Sequence, residues 1–201
     1  MTSTENNIPT LNGLVLAGGK GRRLGRDKGL IKWQGKEQRY HIADILKKQC
    51  EEVFISCRAD QQSEILNGYQ PLPDTFLDLG PYGGILSALR AQPDHAWLVV
   101  ACDLPLLDAE TIQFLIQHRN RKTIATTFQS PHDGLPEPLI TIWEPESYPV
   151  LLSFLAKQYS CPRKVLINSE TTVLQPPNLD ALMNVNTPED AEKAKEILRL
   201  D

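Results

Sequence analysis

The chain has 201 residues, 41% of them hydrophobic and 23% charged, with 21 Lys and Arg against 25 Asp and Glu for a net charge of −4. These values sit near globular averages, which excludes a disordered or fibrous chain, and the length favours one α/β domain, read as residues 11–201 behind a frayed tail at 1–10. The excess of acid excludes a broad duplex-binding face, and no apolar stretch approaches the ~18 residues of a membrane span, so neither nucleic acid nor a membrane is an expected partner.

The first apolar run, 11–17, closes on Gly18 and Gly19 and predicts a buried strand that ends in a loop. Further apolar runs at 53–57, 75–77, 97–102, 123–128, 139–143 and 171–174 predict strands. Helical spacing over 38–50, 85–91, 109–119, 147–159 and 188–200 predicts the helices between them. Such alternation builds right-handed crossovers, hence a Rossmann-like three-layer α/β/α sandwich with a mostly parallel sheet. Asp108 is placed to cap one helix; Thr187, followed by Pro188, Glu189 and Asp190, is placed to cap the last. Ligands bind outside the carboxyl ends of the strands in open α/β sheets, so the residues just after each run are the site candidates.

After the first strand, Gly18, Gly19 and Gly21 allow positive φ and let backbone amides form an anion nest. The spacing fits neither the P-loop pattern nor a dinucleotide fingerprint leading directly into a helix. The same loop carries Arg22, Arg23, Arg26 and Lys28, cations suited to neutralising phosphates as a P–O bond breaks. The run at 97–102 delivers Asp103 to its carboxyl end, with Pro105 stopping further pairing. Mg²⁺ takes only one or two protein carboxylates beside phosphate oxygens and water, so a lone Asp facing a phosphate loop is sufficient to hold it.

Asp78, Gly80, Gly83 and Gly84 lie between a short strand and a helix. They form either a close approach for a planar base or ribose at a positive helix end, or a tight strand-to-helix turn. Arg163-Lys164 and Asn184-Val-Asn186, taken as residues alone, read as a helix start and a capping loop. His41, His95, His118 and His132 are dispersed and receive no chemistry, while Trp33, Trp97 and Trp143 read as core. Cys50, Cys57, Cys102 and Cys161 show no zinc or redox spacing and the N-terminus has no signal-peptide pattern, so free thiols and a cytoplasmic location are expected.

Several short motifs in order resemble the molybdenum cofactor guanylyltransferases, within the nucleotidyltransferases acting on sugar phosphates and related acceptors. They are Leu16-Ala-Gly-Gly with Arg23-Leu-Gly25 and Asp27-Lys28-Gly-Leu30, then Gly80-Pro-Tyr-Gly-Gly-Ile85 and Cys102-Asp-Leu-Pro105. Pro136-Glu-Pro-Leu139, Arg163-Lys-Val165 and Asn184-Val-Asn-Thr-Pro-Glu189 complete the set. The resemblance implies a nucleotide-diphospho-sugar transferase fold that joins GMP from GTP to a molybdopterin-type acceptor with Mg²⁺, releasing pyrophosphate. It implies GTP contacts from Leu16, Ala17, Gly18, Gly19, Lys28, Ser56, Asp78 and Asp103, Ser56 standing where the family often has Asn. It implies Mg²⁺ on Asp103, catalytic roles for Arg23, Lys28 and Asp103, and acceptor contacts from Arg163, Lys164, Asn184 and Asn186. Proteins that deliver or receive the cofactor are further expected contacts. Competing readings are a cytidylyltransferase for the same cofactor, a sugar-1-phosphate nucleotidyltransferase, and a nucleotide-binding regulator without turnover. Gly18-Gly19 leans towards guanine by resemblance, since the cytidine-using relatives tend to carry Ala-Ala-Gly.

Overall fold

A computed structural model describes residues 9–17, 28–33 and 35–199, with Lys28 described in its backbone alone. The tail 1–8 and the loop residues Gly18, Gly19, Arg22, Arg23 and Arg26 therefore lie outside the described residues.

The strands are β1 (Leu11–Leu16), β2 (Val53–Cys57), β3 (Gln70–Pro73), β4 (Ala96–Ala101), β5 (Ala125–Gln129), β6 (Pro136–Trp143) and β7 (Thr171–Leu174). They form one sheet in the order β3-β2-β1-β4-β6-β5-β7. β1 pairs in parallel with β2 and β4, β2 with β3, and β5 with β7. β6 runs antiparallel to both β4 and β5, so its first residue, Pro136, lies beside Gln129 at the ends where the other strands finish.

The sheet is covered on both faces because its strands alternate apolar side chains to each. Val15, Ile55, Leu98 and Val100 join Tyr40, Ile42 and Leu46 of α1 (Gln38–Leu46) and Ile112 and Leu115 of α3 (Ala109–Gln117). On the other face Leu14, Trp97 and Val99 join α2 (Pro81–Ala91), α4 (Ser147–Ala156) and α5 (Pro162–Ile167). This is the three-layer sandwich expected from the alternation of elements, with one strand reversed. α6 (Pro188–Leu198) packs through Ala194 against Trp33 and Val185. All three tryptophans are buried.

Both expected caps form. Asp108 accepts from the Thr111 amide at 2.7 Å, and Thr187 with Asp190 makes a reciprocal capping box. At the far end of the sheet Glu144, fully buried, receives two hydrogen bonds of 2.7 Å from Arg119. The same guanidinium donates to the Pro9 carbonyl at 3.1 Å and so pins the entry to β1.

Two expectations need correction. The strand placed at 75–77 is instead β3 at Gln70–Pro73, and residues 75–77 belong to the connection into α2, which starts at Pro81 rather than 85. Pro71 and Pro73 obscured the strand; they are tolerated because β3 is an edge strand paired only with β2. The short helix α5, with Pro162 in its first turn, was anticipated only as a helix start at Arg163. Among the described residues no helix is long and apolar enough to cross a membrane.

Candidate active site

The chain runs outward from β1 through β2 to β3 and then returns to place β4 on the other side of β1, so the strand order reverses between β1 and β4. A reversal of this kind opens a crevice outside the carboxyl ends of the two strands. Leu16, Ala17 and Asp103 all sit at that crevice, and the Cys102 amide donates to the Leu16 carbonyl at 3.3 Å, fastening the two strand ends together. Beyond it the Asp103 carbonyl accepts from the Val185 amide at 2.9 Å. That bond brings Val185, 82 residues on, beside Asp103, with Asn184 and Asn186 as its neighbours in the chain.

On the β2–β3 side, Ser56 is buried and donates to the Asp74 carboxylate at 2.8 Å. Asp74 directly follows β3, and its amide donates to the Cys57 carbonyl at 2.9 Å. Burial pushes its carboxyl above the ordinary aspartate value, against the opposing Ser56 hydrogen bond. Sequence reasoning missed Asp74, because misplacing the strand hid that it is the first residue after one.

Asp78 lies four positions further on, exposed and at φ 59°, in the turn before α2. Gly80 caps α2 at φ 56°. A Cβ at Gly83 would stand 2.2 Å from the Phe76 carbonyl oxygen, and one at Gly84 would stand 2.7 Å from Leu16 Cδ2 and 2.9 Å from Ser56 Oγ. These two glycines therefore admit the protein's own backbone and side chains.

On the β6 side, Arg163 in the first turn of α5 donates to Asp133 at 2.7 Å and to Glu137 at 3.1 Å. Glu137 is only 6% exposed. Burial holds its carboxyl above the ordinary glutamate value, Arg163 opposes this, and the neighbouring charges of Asp103 and Asp133 add to it. Asp103, Glu137, Arg163 and Asp133 thus form one electrostatic chain. The sequence offered Glu137 only as part of a motif. Lys164 does not join this group; it is exposed, with its ammonium 4.4 Å from the centre of the Tyr159 ring. The Asn186 amide donates to Asp190 at 3.0 Å, which fixes the turn that carries Asn184 and Asn186.

Lys28 opens a short 3₁₀ turn, Lys28–Leu30. Among the described residues no group of three or more His, Cys, Asp or Glu could hold a metal ion.

Residues 13–172 match the model of the MobA-like NTP transferase domain. The chain belongs to that family, and is a nucleotidyltransferase. A molybdenum cofactor guanylyltransferase from Pseudomonas putida is 32% identical over 186 residues, covering 90% of this chain and 96% of that protein. A molybdenum cofactor biosynthesis bifunctional protein from a Synechocystis species is 37% identical over 181 residues, and this chain spans 52% of its length. Among solved structures, the molybdopterin-guanine dinucleotide biosynthesis protein A of Archaeoglobus fulgidus superposes with a TM-score of 0.78 at 23% identity, covering 94% of this chain and 98% of that one. A 4-diphosphocytidyl-2C-methyl-D-erythritol synthase from Anaerococcus prevotii follows the same fold with a TM-score of 0.69 at 14% identity, covering 95% of this chain and 96% of that one. Both superpositions agree with the nucleotide-diphospho-sugar transferase architecture.

Proposed function

We propose that this MobA-like transferase moves GMP from GTP onto molybdenum-loaded molybdopterin, giving the guanine dinucleotide cofactor and pyrophosphate. The observation that carries it is Asp103 at the crevice between β1 and β4, tied by its carbonyl to the segment bearing Asn184 and Asn186. Relatives named molybdenum cofactor guanylyltransferase, such as the 32% identical Pseudomonas protein, support GTP as the donor and molybdopterin as the acceptor. A biosynthetic step that draws on GTP also supports the cytoplasm as its site.

In this reading the site has two halves. Leu16, Ala17, Gly18 and Gly19 line the nucleotide. Ser56 and Asp74 meet its ribose or base, in preference to the exposed Asp78. Arg163, Asn184 and Asn186 meet the acceptor, whose phosphate attacks the α-phosphorus in line. A phosphate nucleophile is already ionised near neutral pH, so no general base is needed. Arg23 and Lys28 take up the charge of the departing pyrophosphate.

Nucleotidyltransferases of this kind generally use a divalent metal, and the oxygen donors here suit Mg²⁺. Asp103 provides a carboxylate, and Glu137 is near enough for their like charges to interact, a repulsion that a divalent cation held by Asp103 would relieve. Bound on Asp103, it would supply neutralisation of phosphate charge.

Pyrophosphate release with molybdopterin present, compared for GTP and CTP, tests the reading. GTP should be strongly preferred, and Asp103→Asn should lower kcat at saturating Mg²⁺ by about 10²-fold or more, the scale of losing a main electrostatic stabiliser. A preference for CTP would overturn the guanine assignment, and undiminished turnover by Asp103→Asn would overturn the metal assignment.

A further inference from the structure

The hairpin turn between β5 and β6 stands over the acceptor half of the site. It is closed by Ser130 N to Leu135 O at 2.8 Å and Gly134 N to Ser130 O at 3.0 Å, with Gly134 at φ 72°. Residues 131–135 are exposed. From this turn Asp133 reaches Arg163, and His132 comes close enough to Asp190 to act on its charge, beside the Asn186 amide that Asp190 accepts from. The turn therefore bonds to α5 and bears electrostatically on the start of α6, the two elements that carry the acceptor residues.

Arg163 holds two carboxylates that differ in mobility. Glu137 is on β6, with a side chain 7% exposed, and its carbonyl accepts from the hydroxyls of Thr127 and Thr141 at 2.5 and 2.7 Å. It is fixed in the sheet, and its charge beside Asp103 needs the guanidinium. Asp133 has a side chain 41% exposed, on the exposed turn, and its other partners, the Leu135 amide at 3.1 Å and the Ser130 hydroxyl, belong to the same turn and move with it. Two of the five N–H donors of Arg163 are spent on carboxylates, so the guanidinium gains a bidentate grip on a phosphate, free of a competing anion on that side, when one carboxylate leaves. Asp133 is the one free to go.

We propose that Asp133 is a placeholder for the acceptor's anionic group: it occupies Arg163 in the empty enzyme and is displaced when molybdopterin binds, which lowers acceptor affinity and orients Arg163 beforehand. The inference rests on Arg163 being an acceptor contact. Asp133 is a specificity-determining residue in this scheme, and the identity of the turn sets the acceptor KM without touching the nucleotide half.

Steady-state pyrophosphate release with varied molybdopterin, on wild type, Asp133→Asn, Arg163→Ala and the double variant, tests it. Asp133→Asn keeps the bond from the Leu135 amide and removes the charge. Half-exposed ion pairs are weak, so the acceptor KM should fall by about two- to five-fold, with the KM for GTP unchanged. Arg163→Ala should raise the acceptor KM and erase the effect of Asp133→Asn. Arg163→Lys serves where the alanine variant fails to fold, because it keeps a cation beside Glu137. An unchanged or raised acceptor KM in Asp133→Asn overturns the proposal, as does an equal fall in the Arg163→Ala background, which is a general charge effect. An inert Asp133→Asn beside a raised KM in Arg163→Ala removes the placeholder but keeps the acceptor site. An Arg163→Ala enzyme with unchanged acceptor KM removes the site itself.

Discussion

Alanine at Gly83 and at Gly84 should give two different defects, because the added methyl meets different things. At Gly83 it would stand 2.2 Å from the Phe76 carbonyl oxygen and 3.4 Å from its carbon, both backbone, so the turn leading into α2 must shift as a whole. Overpacking of that kind costs about 1–3 kcal/mol, and the better helix propensity of Ala returns at most about 1 kcal/mol. The net loss of about 1–2 kcal/mol corresponds to roughly 2–8 °C in a chain of this size. At Gly84 the methyl would meet Leu16 Cδ2 at 2.7 Å, which can rotate away, and Ser56 Oγ at 2.9 Å, which is held by Asp74. Moving Ser56 puts one hydrogen bond at stake, about 0.5–1.5 kcal/mol, or roughly a two- to ten-fold rise in the KM for GTP with little change in melting. Calorimetric melting and GTP titration of pyrophosphate release on both variants provide the readout. A Gly83→Ala enzyme that melts normally but binds GTP poorly would refute the reasoning, since that glycine would then be making room for ligand.

The Asp74 carboxyl is raised by burial above its ordinary 3.8, so its ionisation costs stability that is absent below that value and reaches full size above the folded value. Asp74→Asn should therefore melt higher than wild type at pH 7, with the difference closing as the pH falls towards 4, while GTP turnover weakens; equal melting at pH 7 would contradict the burial cost. Arg119→Met should lower urea-unfolding stability by about 3–5 kcal/mol, because it strands the fully buried Glu144, and a loss under ~1 kcal/mol would show that water reaches that carboxylate.

The central strands were legible because they are covered on both faces. β1, β2 and β4 read as apolar runs for that reason, and Asp103 was found because it follows the most apolar of them, β4, whose residues are all buried. Asp74 was not, since its meaning comes from Ser56 across the β2–β3 register, where Ser56 stands opposite Leu72. Glu137 needed a different fact. Its closeness to Asp103 follows from β6 running antiparallel to β4, and a period-two pattern is the same in either direction. Arg163 read as a helix start, which it is, and nothing local to it announces two carboxylates from another hairpin.

The reversed strand has a functional consequence. In the proposed reading the nucleotide half is built where parallel strands finish, on β1, β2 and β3, and the acceptor half where β6 begins and where α5 and α6 present their first turns. Among the described residues Asp103 stands between the two proposed halves, joined to the β1 side by the Cys102 bond to Leu16 and to the acceptor side by the Val185 bond to its own carbonyl. The β5–β6 turn shares no hydrogen bond with Ser56 or Asp74, so its length and charge can vary without disturbing that pair. With the proposed halves so separated, donor chemistry stays fixed while acceptor choice is tuned on a separate hairpin, and changes that alter acceptor KM alone should concentrate there.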